Sequence, residues 1–242
     1  MIKFSSSLLK INLLRCFNQS LQSGIFDESW THTIFQMLPK SGDTSDISNW
    51  RPIAILPILY KIFSRLVYNR ISPILFSYQS WDQHAYTPDF RIEDALLCAE
   101  SIIADSLEFN VPAWLLSMDL KKTFDSVNHQ FLFRALGYHG LQPQYIHLLQ
   151  LLYRNQSGSV GSSRHFQILR GVRQGDVLSA IIFNCVIDVA FEDWKTQLRD
   201  EGILVEDRDE RLTNTRYADD TSWCVSKLPC SCRSPEFRQF FV

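Results

Sequence analysis

Apolar residues recur along this chain at two periods. Ile11, Leu14, Phe17 and Leu21 keep helical spacing, which predicts an amphipathic core helix ended by Gly24. Trp30 to Lys40 alternates in a way that suits a strand closed by Pro39, and Ile53 to Leu56 is a second extended run. Ser41 to Asp46 between them is made of turn residues, so 31–56 reads as a hairpin flanked by Lys40 and Arg51. Beyond Pro57, helical spacing returns: Leu59, Phe63, Leu66, Val67 and Ile71 form an apolar stripe, while Lys61, Arg65 and Arg70 share the other face.

Farther along, 92–107 reads as a helix with Glu93 and Asp94 in its first turn, where the macrodipole favours them. Ala113 to Met118 is nearly all apolar and follows Pro112, which predicts a strand buried on both faces that delivers Asp119 at its end. Two helices are expected over 128–138 and 143–154, parted by Gly137 and Gly140, with Pro143 in a first turn. Phe166 to Leu169 leads into the loop Gly171 to Asp176, which opens a long helix bearing Val177, Ile181, Cys185, Val189 and Leu198. Such a loop-to-helix start is a natural seat for phosphates. Residues 200–211 read as an exposed acidic connection. Tyr217-Ala218-Asp219-Asp220, with Arg216 before it and Ser222 to Val225 after it, has the shape of a two-residue hairpin whose Ala-Asp tip throws carboxylates outward.

Composition narrows the classes. With 242 residues, 45% of them hydrophobic, the chain is long and apolar enough for one or two domains with a proper core, and a largely disordered protein is excluded. A net charge of -2 gives no global attraction for a polyanion, so nucleic-acid binding must rest on local clusters. One such cluster is Lys40, Arg51, Lys61, Arg65 and Arg70 against only Asp43 and Asp46; a solvated helix face accounts for those charges equally well. Lys3, Lys10 and Arg15 among Leu and Ile superficially suit a transit peptide, yet polar Asn12, Asn18 and Gln19 interrupt the segment. No stretch approaches the ~18 apolar residues of a membrane span. Cys16, Cys98, Cys185, Cys224, Cys230 and Cys232 form no disulfide framework, and the last three lack a fourth zinc ligand. Reduced thiols in an intracellular protein, nuclear or cytoplasmic, are the expectation.

Three aspartates carry the candidate chemistry. Asp119 ends one strand and Asp219-Asp220 sits at a hairpin tip, the hard oxygen donors that a magnesium site for phosphoryl transfer requires. Adjacent carboxylates repel, so without a cation or hydrogen bonds at least one pKa should rise.

The words around these aspartates resemble reverse transcriptases, most closely those of non-LTR (LINE-type) retrotransposons. The matching blocks are Leu38-Pro39-Lys40 with Asn49-Trp50-Arg51-Pro52-Ile53, Ser117 to Asp125, Gly171 to Ser179, and Tyr217-Ala218-Asp219-Asp220, with Gln83 to Tyr86 between the first and second. The resemblance implies an α+β right-hand polymerase, with an N-terminal helix and fingers over 1–110 and a palm over 111–227 whose antiparallel sheet packs on helices. It also implies two Mg2+ ions (Mn2+ as a substitute) on Asp119 and Asp219, assisted by Asp220. Its partners would be an RNA template, a DNA primer and a deoxynucleoside triphosphate (dNTP), with no membrane. In such enzymes Arg51 and Lys40 match residues that neutralise the triphosphate. Gln174 and Gly175 match the loop on the incoming nucleotide, and Phe124 matches the ring against the sugar, where a ribose 2′-hydroxyl would not fit. Without the resemblance, Phe124 would read as a core phenylalanine. For Lys121, Lys122 and Arg173, solvated and backbone-contacting roles stand equal.

Thr123 and Ala180 depart from the family pattern tolerably. From Pro229 to Pro235 the text no longer resembles it, so the thumb is expected to be absent and 228–242 to be an unrelated or frame-shifted tail. Two other readings accompany the polymerase: a catalytically silent retroelement remnant that at most binds nucleic acid, and a two-metal nuclease. The nuclease leaves 171–179 and Phe124 unexplained.

Overall fold

Local signals set the first helix. Ser6 caps α1 (Ser7–Ser23), its hydroxyl accepting from the Leu9 N–H, and Gly24 closes it at φ +66°, a left-handed backbone that glycine adopts without the cost of a Cβ. Of its apolar residues only Phe17 is buried; Leu8, Leu9, Ile11, Leu14 and Leu21 are exposed. The predicted core helix is therefore a helix attached by one aromatic side chain, because periodicity reports an apolar stripe and not its cover.

The computed structural model describes residues 6–120, 122–204 and 211–226, the side chain of residue 48 excepted. Lys121 and the expected tail with Cys230 and Cys232 lie outside the described residues. The order continues as α2 (Glu28–Thr31), β1 (His32–Pro39), β2 (Trp50–Ile55), α3 (Ile58–Tyr78), α4 (Ile92–Glu108) and β3 (Trp114–Met118). Then come α5 (Thr123–Ser126), α6 (His129–Tyr138), α7 (Pro143–Tyr153), β4 (Ser157–Val160), β5 (Phe166–Gln167), α8 (Val177–Leu198), β6 (Asn214–Tyr217) and β7 (Asp220–Val225). Two compact units result, one of Met1–Ser77 with Phe124–Phe183, the other of Tyr78–Thr123 with Asn184–Val242.

The first unit has a four-stranded sheet in the order β2-β1-β4-β5. β1 and β2 form the expected antiparallel hairpin, Leu38 against Arg51, and β4 adds to β1 in parallel. Its core is aromatic. Trp30 lies 5.1 Å from Phe63, and Phe17 lies 5.5 Å from Phe63, ring centre to ring centre, pairs that each stabilise by ~0.5–1.5 kcal/mol beyond area burial. Along α3, Tyr60, Phe63, Val67, Ile71 and Leu75 are buried and the basic Lys61, Arg65 and Arg70 exposed as expected, but Leu59 and Leu66 lie outside the stripe.

In the second unit the sheet is antiparallel, in the order β3-β7-β6. Successive residues of the central strand point to opposite faces. Trp223 packs on Phe191 and Trp194 of α8, both at 5.2 Å, while Cys224 joins Ile102 and Cys98 of α4 in a small core with Leu212. This is the expected antiparallel sheet packed on helices. β3 corrects the other expectation. It is an edge strand, with Trp114 51%, Leu115 42% and Leu116 48% exposed. An unbroken apolar run cannot distinguish a strand flanked on both sides from an edge strand that is merely apolar.

Candidate active site

Strand register gathers the carboxylates at one end of the second unit's sheet. β3 pairs with β7 so that Met118 faces Thr221, and β7 pairs with β6 so that Tyr217 faces Asp220. The residue that follows Met118 is Asp119, one step on toward Asp220, and Ala218-Asp219 is the two-residue turn at that same end. Asp119 and Asp220 are exposed and Asp219 half-buried. Burial raises the Asp219 carboxyl above its ordinary pKa, and the negative charges of Asp220 and Asp119 add to the rise, while the backbone N–H of Asp219 opposes it. The repulsion expected from the sequence is present, and Asp119 and Asp219 are electrostatically coupled. Among the described residues no three His, Cys, Asp or Glu side chains are gathered tightly enough to hold an ion by themselves. Magnesium commonly takes one or two carboxylates and completes its octahedron with water and substrate phosphates, so the donor set fits that ion.

The turn is braced from below by residues whose part the sequence did not disclose. Ala218 is buried and holds φ +59°, which a residue with a Cβ adopts only at a cost. Buried Gln83 grips it at both backbone groups: its Oε1 accepts from the Ala218 N–H at 3.0 Å and its Nε2 donates to the Ala218 carbonyl at 3.1 Å. Beside it the Arg216 N–H donates to the Asp82 carbonyl at 2.8 Å, and the His84 N–H donates to the Arg216 carbonyl at 2.9 Å. The Arg216 guanidinium, 0% exposed, bonds Asp82 and Asp188, and Lys195 pairs with Asp82. Burial works against that guanidinium, but the two aspartates outweigh it and hold its pKa above the ordinary value. Two signals were available: a charged residue on a strand one step before the aspartate box, and a glutamine, Gln83, that opens a block resembling the family with Asp82 just before it.

The remaining candidates belong to the first unit. Gln174, half-buried, donates to the Asp125 carboxylate at 3.0 Å, and the Val172 N–H donates to the Phe124 carbonyl at 2.8 Å, which ties the glycine loop to α5. Gly171, at φ +90°, leaves no room for a side chain, because a Cβ would stand 3.0 Å from the Asp125 backbone. Gly175 is exposed at φ +78°, with the Ala54 carbonyl 3.4 Å from where a Cβ would be. The Phe124 ring stacks on Phe183 at 3.9 Å and remains partly exposed. Arg51 and Lys40 are both exposed on the β1–β2 hairpin. A cavity of about 470 Å³ is lined by Phe35, Met37, Ala54, Asp125, Phe166 and Gln174, among others. Arg173 takes neither of its two expected roles: it is buried, donates to the carbonyls of Trp30 and Leu152, and lies over the Tyr60 ring.

A family model described as reverse transcriptase (RNA-dependent DNA polymerase) matches residues 38–232. The chain is 28% identical to the transposon TX1 149 kDa protein of Xenopus laevis over 94% of its own length and 18% of that protein's. It is 30% identical to the Pol polyprotein of the R2 retrotransposable element of Popillia japonica, over 75% of this chain and 26% of that one. It therefore spans about a fifth to a quarter of the length of these relatives. Among solved structures, truncated apo telomerase of Candida Tropicalis overlays 90% of this chain and 49% of its own, with a TM-score of 0.61 and 12% identity. The telomerase of the same yeast in complex with a fragment of telomeric RNA overlays 87% of this chain and 39% of its own, with a TM-score of 0.60 and 14% identity. These two likenesses establish the fold. Among the described residues no helix is long and apolar enough to cross a membrane.

Proposed function

The chain belongs to the reverse transcriptase family, and from that premise we propose that it is an RNA-directed DNA polymerase domain of a non-LTR retroelement. The reaction joins the α-phosphate of a dNTP to a primer 3′-hydroxyl and releases pyrophosphate. The observation that carries this reading is the convergence of Asp119, Asp219 and Asp220 at one sheet end, with the Asp219 carboxyl raised by burial first and by the charges of Asp220 and Asp119 second. A carboxylate held above its ordinary pKa in this way is relieved by a cation, so the site favours one. Asp119 and Asp219 would hold magnesium, with Asp220 assisting. Bound there, such ions would supply Lewis acidity for the attacking hydroxyl and the departing pyrophosphate.

The rest is positioning by this chain's own side chains. The antiparallel sheet of the second unit is the palm, and the β1–β2 hairpin belongs to the fingers. Exposed Arg51 offers a guanidinium fork to the triphosphate, and Lys40 adds a point charge. Phe124, fixed by its stack on Phe183, excludes a ribose 2′-hydroxyl. Gln174 and Gly175 contact the nucleotide pair, and the apolar cavity beside Gln174 offers Phe35 and Phe166, stacked at 6.0 Å, to an unpaired template base. RNA as the template agrees with the retroelement relatives and with the RNA-bound telomerase neighbour.

The test is extension of oligo(dT) on poly(rA) by the purified chain with dTTP and Mg2+. Incorporation that disappears in Asp119→Asn is expected. A folded chain that incorporates nothing would move the protein to the silent-remnant reading.

A further inference from the structure

We infer that Gln83 is a positioning residue for the Asp219 carboxylate, acting through the backbone of Ala218. This rests on the reading of Asp219 as a metal ligand and adds to it the device that aims the ligand.

Three observations converge on it. First, Ala218 is a non-glycine residue at φ +59°, immediately before Asp219, in a turn of only two residues. Such a backbone persists when its surroundings over-determine it. Second, the over-determination has one source among the described side chains: the Gln83 amide donates to the Ala218 carbonyl at 3.1 Å and accepts from its N–H at 3.0 Å. A single planar amide that satisfies both groups of one residue fixes the orientation of both adjoining peptide planes, and the second of these carries Asp219. Third, Gln83 is itself immobilised. It is buried, its Oε1 also accepts from the Ala85 N–H at 3.1 Å, and its neighbour Asp82 is locked to Arg216, three residues before Asp219, through backbone and guanidinium alike. The braces thus join the 82–85 segment to both sides of Ala218 without touching a carboxylate of the site. Their consequence is preorganisation: the Asp219 carboxylate is held where a cation needs it before the cation arrives.

The experiment is a titration of the full chain with Mn2+, free ion being read by electron paramagnetic resonance, together with a thermal melt of every variant. Gln83→Met keeps volume and removes both hydrogen-bonding groups; the expected result is Mn2+ binding weakened by about 10- to 100-fold, the range for supports that orient a ligand. Ala218→Gly adopts the left-handed backbone without strain, so adding it to Gln83→Met should restore about fivefold to tenfold of that loss. A purely structural glutamine would show no such rescue. Gln83→Glu, which keeps the acceptor and loses the donor, should bind more weakly than the natural chain and serves if Gln83→Met does not fold. Asp219→Ala separates the two layers of the argument. If it leaves Mn2+ binding intact, the metal reading itself fails. If it abolishes binding while a folded Gln83 variant binds as the natural chain does, the positioning role is overturned. Absence of rescue by Ala218→Gly, or failure of both Gln83 variants to fold, overturns it as well.

Discussion

The β6–β7 hairpin turns in two residues and rests on a buried glutamine and a buried guanidinium. The β1–β2 hairpin instead crosses from Lys40 to Asn49 through a loop whose side chains face solvent almost throughout. Within that loop the Asp43 carboxylate accepts from the Ser45 N–H at 2.9 Å, and the Trp50 indole donates to the Thr44 carbonyl at 2.9 Å. The β6–β7 hairpin carries acids and the β1–β2 hairpin carries bases, and on the proposed reading their construction suits what each would do. A cation ligand tolerates little displacement, because its donors must converge on one point. A guanidinium that meets a flexible triphosphate can find its partner from several orientations, and mobility costs it little. The buried braces on the β6–β7 turn lie where the proposed role is the more demanding in geometry.

Breaking that contrast gives graded outcomes. The largest is chemical: Asp219→Ala should reduce nucleotide incorporation to background without lowering the unfolding midpoint. Because its folded pKa is raised, the Asp219 carboxyl favours the folded state below its unfolded pKa, and that contribution is lost as pH rises through the folded value. At neutral pH the alanine variant should therefore be at least as stable as the natural chain, which urea unfolding checks at pH 4 and pH 7.5. Next in size is Arg216→Met, which leaves Asp82 and Asp188 buried without their guanidinium. The expected loss is about 3–5 kcal/mol of stability in the same unfolding experiment. Smaller is Gly171→Ala, where the new Cβ would collide with the Asp125 backbone at a left-handed φ. About 1–3 kcal/mol is expected there, against a smaller loss for Gly175→Ala, where the left-handed φ of +78° remains but the new Cβ would meet the Ala54 carbonyl only at 3.4 Å. The smallest stability effect belongs to Arg51→Ala, within about 0.5 kcal/mol. Its triphosphate affinity should nevertheless fall about tenfold, as loss of a charge-assisted hydrogen bond implies; a filter-binding comparison of dNTP and primer-template reads this, and equal losses of both would contradict the role.

Much of this arrangement was legible beforehand, and the reasons are specific. Turn chemistry marked the β1–β2 hairpin, at Ser41 to Asp46 after Pro39, whereas the β6–β7 hairpin was legible from the aspartate box and the β-favouring residues beside it, because alanine is a poor residue for such a turn. The glycine loop before α8 was legible from its turn residues as well. Burial was not. The apolar stretches of α1 and β3 look like core elements but lie mostly exposed, because a pattern along the chain records which faces are apolar and carries no record of what meets them. Gln83 and Arg216 were invisible as braces because their partners stand 135 and 134 residues away in sequence, and Arg173 was misjudged because an arginine buried against backbone carbonyls looks, in sequence, like any exposed one.

The most direct measurement of the central claim is single-nucleotide incorporation by Asp219→Ala beside the natural chain, with Mg2+ and with the unfolding midpoint of both recorded in the same buffer. Incorporation lost with the midpoint unchanged is the predicted result. Incorporation that persists in the folded variant, or a loss of activity that comes with unfolding, would contradict the assignment of the hairpin carboxylates as the metal site.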